Sequence, residues 1–433
     1  MSQYVQLQQD GSLRIYFPLA SYSRVRRTGW GLKNEQCVYV RVLLSLHRGK
    51  LWLAGFCVHL EGDEVPPGRH SPCSLQQMEP PERVTCGTPN RLVYQLSRIV
   101  WRYLRCRPTN PALPLGWERF HSDITAELGE LAQHCIVCHY EIQTGNSLLR
   151  STTCSRRCSL YFRQSQLAVR VPEMFVDQDA AGMLFWAMDA AIRCNTLNLV
   201  EGRPFPLTNT VMKFALSAMG AVLEDIVDYN TFARAMNITP SEVQLFISWV
   251  FTSYRGALIT LPSLGGLSED YRVFMANAKQ KLEIAFAEKL KPSGGHSGVV
   301  FHGTTCDRLY PILHNGLQTQ VRRDMMQWGN VLGTGIYTTD NSEVAMGYAR
   351  DFAVPFPNRP IDLGAFVLLI CELAEPTKHK KADRDPLSQK SCQIFVTTDP
   401  EDLILRAVVV ATPGAELPHM QLRDAHRMIR IAR

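Results

Sequence analysis

From Val38 to Leu44 apolar and polar residues alternate, with β-branched residues at Val38, Val40 and Val42, which predicts a strand; Leu51 to Leu60 predicts a second. A stretch rich in Pro and Gly from about 61 to 90 carries no period and reads as a loop. Leu92, Leu96, Ile99, Val100 and Tyr103 then recur at helical spacing. From about 175 to 290 the pattern reads as helical, with apolar faces over Asp177 to Leu197, Val211 to Val227 and Glu269 to Leu290. One helix start is sharply signed: Thr239 as N-cap, Pro240 at the first helical position and Glu242 closing a capping box, ahead of a stripe at Val243, Phe246, Ile247 and Val250. Lys291 to Ser297 is a short Pro/Gly/Ser linker, after which the pattern turns to strands: Val299-Val300-Phe301, and a buried run from Gly364 to Leu373. Between them, Asp307 to His314 predicts a short helix with Leu309, Ile312 and Leu313 on one face and Asn315-Gly316 as a left-handed cap. Pro311 suits only a first turn and conflicts with that boundary.

Composition adds bounds. The chain has 433 residues, 45% hydrophobic and 20% charged, which fits a globular protein of two to four domains. A net charge of +6 is a small excess over this length and implies neither nucleic acid nor a membrane surface. No apolar run approaches the roughly 20 residues of a membrane-spanning helix. The opening MSQYVQLQQDGSLRIY lacks the basic start and apolar core of a signal peptide. The expectation is an intracellular, reducing compartment, cytoplasmic and/or nuclear, with no membrane contact.

Nine of the 13 cysteines are scattered, as small buried hydrophobes are. The other four are Cys135-x2-Cys138 and, fifteen residues on, Cys154-x3-Cys158. Zinc takes four soft ligands at tetrahedral corners, and each close pair supplies two from one tight turn. The spacing predicts a structural zinc module at 130–165; unliganded thiols are the alternative, and His134 or His139 could replace one ligand.

Three pieces of the last third carry chemistry. They are Phe301-His302-Gly303-Thr304-Thr305; then Gly333-Thr334-Gly335-Ile336-Tyr337 followed by Val344 to Ala349; then Gln393 to Asp399, leading into Leu403 to Arg406. In this order they resemble the poly(ADP-ribose) polymerase (PARP) superfamily of ADP-ribosyltransferases over residues 295–433. The resemblance implies a split antiparallel β-fold that cleaves NAD+ to nicotinamide and transfers ADP-ribose to a protein acceptor. It implies that His302 hydrogen-bonds a ribose of NAD+, and that Gly303 brings its backbone to the nicotinamide carboxamide. Thr304 would lie near the adenosine ribose. Gly333 and Gly335 would allow a tight strand entry, and Tyr337 and Tyr348 would sandwich the nicotinamide ring. Asp340 or Asn341 would cap the helix carrying Tyr348. Ala345 departs from a serine commonly found there.

The family's catalytic glutamate position falls on Ile394, so the triad reads His302, Tyr337, Ile394. Isoleucine neither binds the ribose hydroxyl nor polarises an acceptor hydroxyl, which implies transfer of a single ADP-ribose. Glu372 and Glu401 are the carboxylates a register slip would bring in. The order of cysteine cluster, helices and Phe-His-Gly is similar to the mono-ADP-ribosylating subgroup.

The organisation expected is therefore a multidomain α+β chain: an α+β domain at 1–115, the zinc module at 130–165, a helical domain at 172–290 and the catalytic domain at 295–433. The first domain resembles ubiquitin-conjugating-enzyme-like and RWD folds, which implies ubiquitin or a ubiquitin-pathway protein as partner. Competing readings are an inactive adaptor, a poly-ADP-ribosyltransferase if Ile394 is misassigned, and transfer to a nucleic-acid end. Trp328, Arg322 and Arg323 read first as loop packing and a solvated pair. Their second reading is as cover and pyrophosphate contacts for the cleft.

Overall fold

Residues 5 to 18 close into a hairpin. Asp10 and Gly11 turn the chain between β1 (Val5–Leu7) and β2 (Leu13–Pro18), with Gly11 at φ 78°. Asp10 Oδ1 accepts from the Ser12 N–H at 3.0 Å and from its hydroxyl at 2.6 Å. The computed structural model describes residues 3–47, 50–62, 90–106, 114–142, 154–155, 157–158, 176–196, 200, 249–250, 256–261, 271–319, 331–349, 367–411 and 420–432. It forms two compact units, Met1–Ile142 with Arg150–Val176, and Gln143–Leu149 with Asp177–Arg433.

In the first unit, β1, β2, β3 (Cys37–His47) and β4 (Lys50–Leu60) form an antiparallel meander in that order. The alternation decides which face is inward: Leu13, Ile15, Phe17, Val38, Val40, Val42, Phe56 and Val58 are all buried in one cluster. Two helices complete that cluster. α1 (Arg91–Cys106) gives Leu92, Leu96 and Val100, and α2 (Pro114–Glu130) gives Trp117, Phe120, Ile124 and Leu128. Asn90 holds the start of α1: its Oδ1 accepts from the N–H of Leu92 at 2.8 Å and of Val93 at 3.2 Å.

In the second unit α3 (Gln178–Arg193) starts at Asp177, whose carboxylate accepts from the Ala180 N–H at 3.0 Å and from the Thr260 N–H at 2.6 Å. The sheet is built from β5 (Ala257–Leu261), β6 (Tyr271–Asn277), β7 (Ser297–Thr304), β8 (Ile336–Thr339), β9 (Val367–Ala374), β10 (Lys380–Arg384), β11 (Ser391–Thr397) and β12 (Leu403–Ala411). All eight are antiparallel to their neighbours, in the order β10-β11-β8-β7-β9-β12-β6-β5. The chain thus has an α+β architecture with two antiparallel sheets among the described residues. No helix among them is long and apolar enough to cross a membrane.

The expectation of one helix from Glu269 to Leu290 is corrected. Tyr271–Asn277 is a strand, and only Gln280–Leu290, here α4, is helical. A short apolar run suits a buried strand as well as a helix, and pairing with β12 from Ala407↔Met275 to Ala411↔Tyr271 decides it. The helix read at Val211 to Val227 lies outside the described residues, as do Trp328, Arg322 and Arg323; so does the one read from Thr239 except at 249–250, where Val250 of its stripe is helical and buried.

The proline conflict resolves locally. α5 (Cys306–Asn315) runs through Pro311, which strips Asp307 of its usual N–H donor. The Thr196 hydroxyl donates to that carbonyl instead, at 2.5 Å. Gly316 follows at φ 78°, its N–H donating to the Ile312 carbonyl at 2.7 Å.

A buried ion cluster joins three elements. Arg406 of β12 donates to both Glu283 oxygens at 3.0 and 2.8 Å and to Glu372 Oε2 at 2.8 Å. The Ser297 hydroxyl donates to the other Glu372 oxygen at 2.6 Å, and the Ala278 N–H to Glu283 at 2.9 Å. Every carboxylate oxygen is therefore occupied, as burial of charge requires.

Candidate functional site

The eight-stranded sheet has a seam. β7 pairs with β9 along its whole length, from Ser297↔Ala374 to Thr304↔Val367. With β8 it shares one residue pair among the described residues, Phe301↔Thr339. The residues beside this seam are His302, Gly303 and Thr304 on β7 and Tyr337 on β8.

His302 is a strand residue, and its Nδ1 lies 2.8 Å from the Tyr337 carbonyl. A carbonyl only accepts, so Nδ1 carries the proton and Nε2 of the neutral ring is left as an acceptor. Burial lowers the pKa of His302, partly offset by this bond to Tyr337, so the neutral ring persists at physiological pH. Thr304 is buried two residues on, at the end of β7.

Gly303 is required by packing. A Cβ there would stand 1.8 Å from the Ala345 carbonyl oxygen and 3.1 Å from the Ala349 nitrogen. Both belong to the segment containing α6 (Ser342–Gly347), which lies directly on β7. Ala345 thus approaches Gly303 through its backbone, and its own side chain is buried. Gly335 is required in the same way: a Cβ would meet Val396 Cγ1 at 2.7 Å and the Thr397 oxygen at 2.8 Å.

Of the two predicted caps, Asn341 takes the role: its side chain accepts from the N–H of Glu343 at 3.0 Å and of Val344 at 3.2 Å. Asp340 instead accepts from the Gln393 N–H at 2.8 Å, tying the start of α6 to β11. Tyr348 ends the helix.

Ile394, paired with Thr339 of β8, is buried with Val344 and Cys392, and Tyr337 and Tyr348 pack against that cluster. Ile394, Tyr337 and Tyr348 therefore meet in one place. The Tyr337 hydroxyl donates to the Gly333 carbonyl at 2.6 Å and accepts from the Leu332 N–H at 3.0 Å. The Tyr348 hydroxyl donates to Asp385 Oδ1 at 2.7 Å. Burial, followed by this carboxylate, raises the Tyr348 pKa well above the ordinary phenol value. Glu372 is committed to Arg406 and Ser297, and exposed Glu401 lines a separate apolar groove with Leu282 and Leu317. Neither carboxylate stands in for Ile394.

The four cysteines converge in the first unit. The sulfurs of Cys135, Cys138, Cys154 and Cys158 all lie within 4.8 Å of one another. Cys138 and Cys154 are 3.2 Å apart, and Cys154 and Cys158 3.7 Å. Around a tetrahedral ion with bonds of about 2.3 Å the sulfurs would be about 3.8 Å apart, so the set fits a metal ion. The Val137 and Cys154 N–H groups point to Cys135 Sγ at 3.4 and 3.3 Å, as donors to a ligating thiolate do. Burial pushes the Cys135 thiol up to about 11, so a cation is needed to hold it ionised. His134 and His139 do not complete the set. They stack on each other at 4.5 Å, and bond the Glu130 carbonyl at 3.0 Å and the Glu127 carboxylate at 2.7 Å.

No model of a known protein family matches the chain, and no curated protein matches it.

Sequence reasoning missed Asp385. It opens the turn between β10 and β11, where Asp385-Pro386 is a turn-initiating pair and gives no hint of Tyr348. It missed β1 and β2 as well, although Asp10-Gly11 between alternating residues signals a hairpin.

Proposed function

We propose that the second unit is an NAD-dependent mono-ADP-ribosyltransferase of the PARP type, transferring one ADP-ribose to a protein acceptor. The observation that carries this reading is the meeting of Tyr337, Tyr348 and Ile394 in one cluster, beside a sheet seam bordered by His302 and Gly303.

In this reading the seam is the split of an ADP-ribosyltransferase fold. NAD+ enters with its nicotinamide between Tyr337 and Tyr348, and His302 Nε2 accepts from a ribose hydroxyl. As the nicotinamide–ribose bond breaks, positive charge develops on the ribose. A carboxylate at position 394 would stabilise that charge and polarise an acceptor hydroxyl on an added ADP-ribose. Ile394 does neither, so chain elongation is not supported.

Purified protein with labelled NAD+ is expected to give a discrete labelled band, lost in His302→Ala and in Tyr348→Ala. A ladder of high-mass products would reject the single-transfer reading. No label, together with no heat of NAD+ binding, would reject the enzyme and favour an adaptor.

The cysteine set is proposed to hold one structural zinc. Elemental analysis should find about one zinc per chain in wild type, and none in Cys154→Ser, whose first unit should melt earlier. Acidification should release the metal, because protons compete for all four sulfurs. Wild-type protein free of metal would overturn this. Ubiquitin or a ubiquitin-pathway protein is proposed as a partner of the first unit; a calorimetric titration with ubiquitin that shows no heat would count against it.

A further inference from the structure

We propose that Asp385 is a positioning residue of the nicotinamide site: it fixes the Tyr348 ring and enriches its electron density, so that the site prefers a cationic pyridinium to a neutral ring. This rests on the NAD+ reading of the second unit.

Asp385 is 2% exposed, and each carboxylate oxygen has a partner. Oδ1 accepts from the Tyr348 hydroxyl at 2.7 Å and Oδ2 from the Ser388 N–H at 2.6 Å. Its backbone is tied as well: its N–H donates to the Lys390 carbonyl at 2.9 Å, and its carbonyl accepts from the Gln389 N–H at 3.0 Å. The turn that carries it is fastened to α6 a second time, by Lys390 Nζ to Glu343 Oε2 at 2.7 Å. A rigid acceptor therefore meets the tip of a ring that packs against the Ile394 cluster. The ring cannot tilt without losing a charge-assisted hydrogen bond in a buried setting.

The bond also has an electronic consequence. A phenol donating to a buried carboxylate is polarised toward phenolate, which makes the ring face more negative. A cation over an aromatic face is attracted by that negative charge, and a neutral ring is not. The nicotinamide of NAD+ carries a formal positive charge, and the nicotinamide that leaves does not. Asp385 would therefore add to binding of the substrate while adding little to binding of the departing product. With Ile394 in place of a carboxylate, Asp385 puts an acidic group on an aromatic ring of the site.

The test is calorimetric titration of NAD+ and of nicotinamide into wild type, Asp385→Asn, Tyr348→Phe and the double variant. Asn can keep its oxygen for the Ser388 N–H and turn its NH2 to the Tyr348 oxygen, which then accepts instead of donating, so the charge and the polarisation are both removed; Phe keeps the ring but removes the link. NAD+ affinity is expected to fall about tenfold in each single variant, with nicotinamide affinity changed less than about twofold, and no further fall in the double. An ultraviolet titration of tyrosines is a readout independent of NAD+: one phenol should ionise at lower pH in Asp385→Asn. If Asp385→Asn does not fold, Tyr348→Phe carries the comparison. Equal losses for both ligands would make Asp385 merely structural, and no loss would remove it from the site. Wild type that binds neither ligand, while the phenol shift is seen, would overturn the NAD+ reading and leave Asp385 only the anchor of a tyrosine.

Discussion

Gly303→Ala is expected to fold and, on the proposed transferase reading, to lose at least about 100-fold in its rate of ADP-ribose transfer. The reason is steric. The new methyl would stand 1.8 Å from the Ala345 carbonyl oxygen, whereas a carbon–oxygen contact is about 3.3 Å, so α6 must retreat by roughly 1.5 Å. α6 ends in Tyr348, and its movement carries that ring away from Ile394 and Tyr337. Displacements of about 1 Å at a positioning group cost about 100-fold in rate. Overpacking of this kind costs about 1–3 kcal/mol, so the melting temperature should fall by several degrees while circular dichroism stays native. Transfer measured at saturating NAD+ checks it. Full activity would mean that the close approach of α6 to β7 has no part in the chemistry.

Arg406→Met is expected to cost about 3–5 kcal/mol, and to lower the melting temperature of the second unit by about 10 °C. Burial acts to lower the pKa of this guanidinium, and Glu283 and Glu372 more than reverse that, so the three charges are settled as a group. Methionine fills much of the arginine stem's space but leaves two carboxylates buried against each other without a cation. They must then take up protons or open a path to water, and either is costly. The triple variant Arg406→Met, Glu283→Gln, Glu372→Gln should recover much of the loss, because a neutral group of similar shape carries no such penalty. Calorimetric melting of the three proteins decides it. A single variant as stable as wild type would show that the cluster contributes nothing net.

Some of this was readable in the chain and some was not. β9 was, because a strand buried at every position leaves an apolar run, here Val367 to Cys371, with Glu372 its one charged residue. The start of α6 was only half readable: Asp340 and Asn341 are both good caps, and a hydrogen bond from β11 to Asp340 assigns the role to Asn341. β6 was misread because its apolar run is no longer than two helical turns, and what makes it a strand is a partner far along the chain. The ion cluster was invisible for the same reason: Glu283, Glu372 and Arg406 meet only once β9 and β12 are paired. His302, Tyr337 and Ile394 were named by motif resemblance. The cluster that joins Ile394 to both tyrosines depends on the register of β11 with β8.

The single pair between β7 and β8 makes this sheet mechanically two sheets set edge to edge. One half is β10-β11-β8 and the other β7-β9-β12-β6-β5, and the ladder between them is too short to bear load. Among the described residues the seam is fastened by the His302 Nδ1 bond to the Tyr337 carbonyl and by α6, which lies on β7 while its ends are tied across to β11 and to the turn before it. Amide hydrogen exchange should therefore divide along the seam. Protons of β9 should exchange only with global unfolding, and those of α6 and the facing edge of β8 by a smaller, cheaper opening. Such a joint would let the seam widen by working these fasteners loose while both halves stay folded.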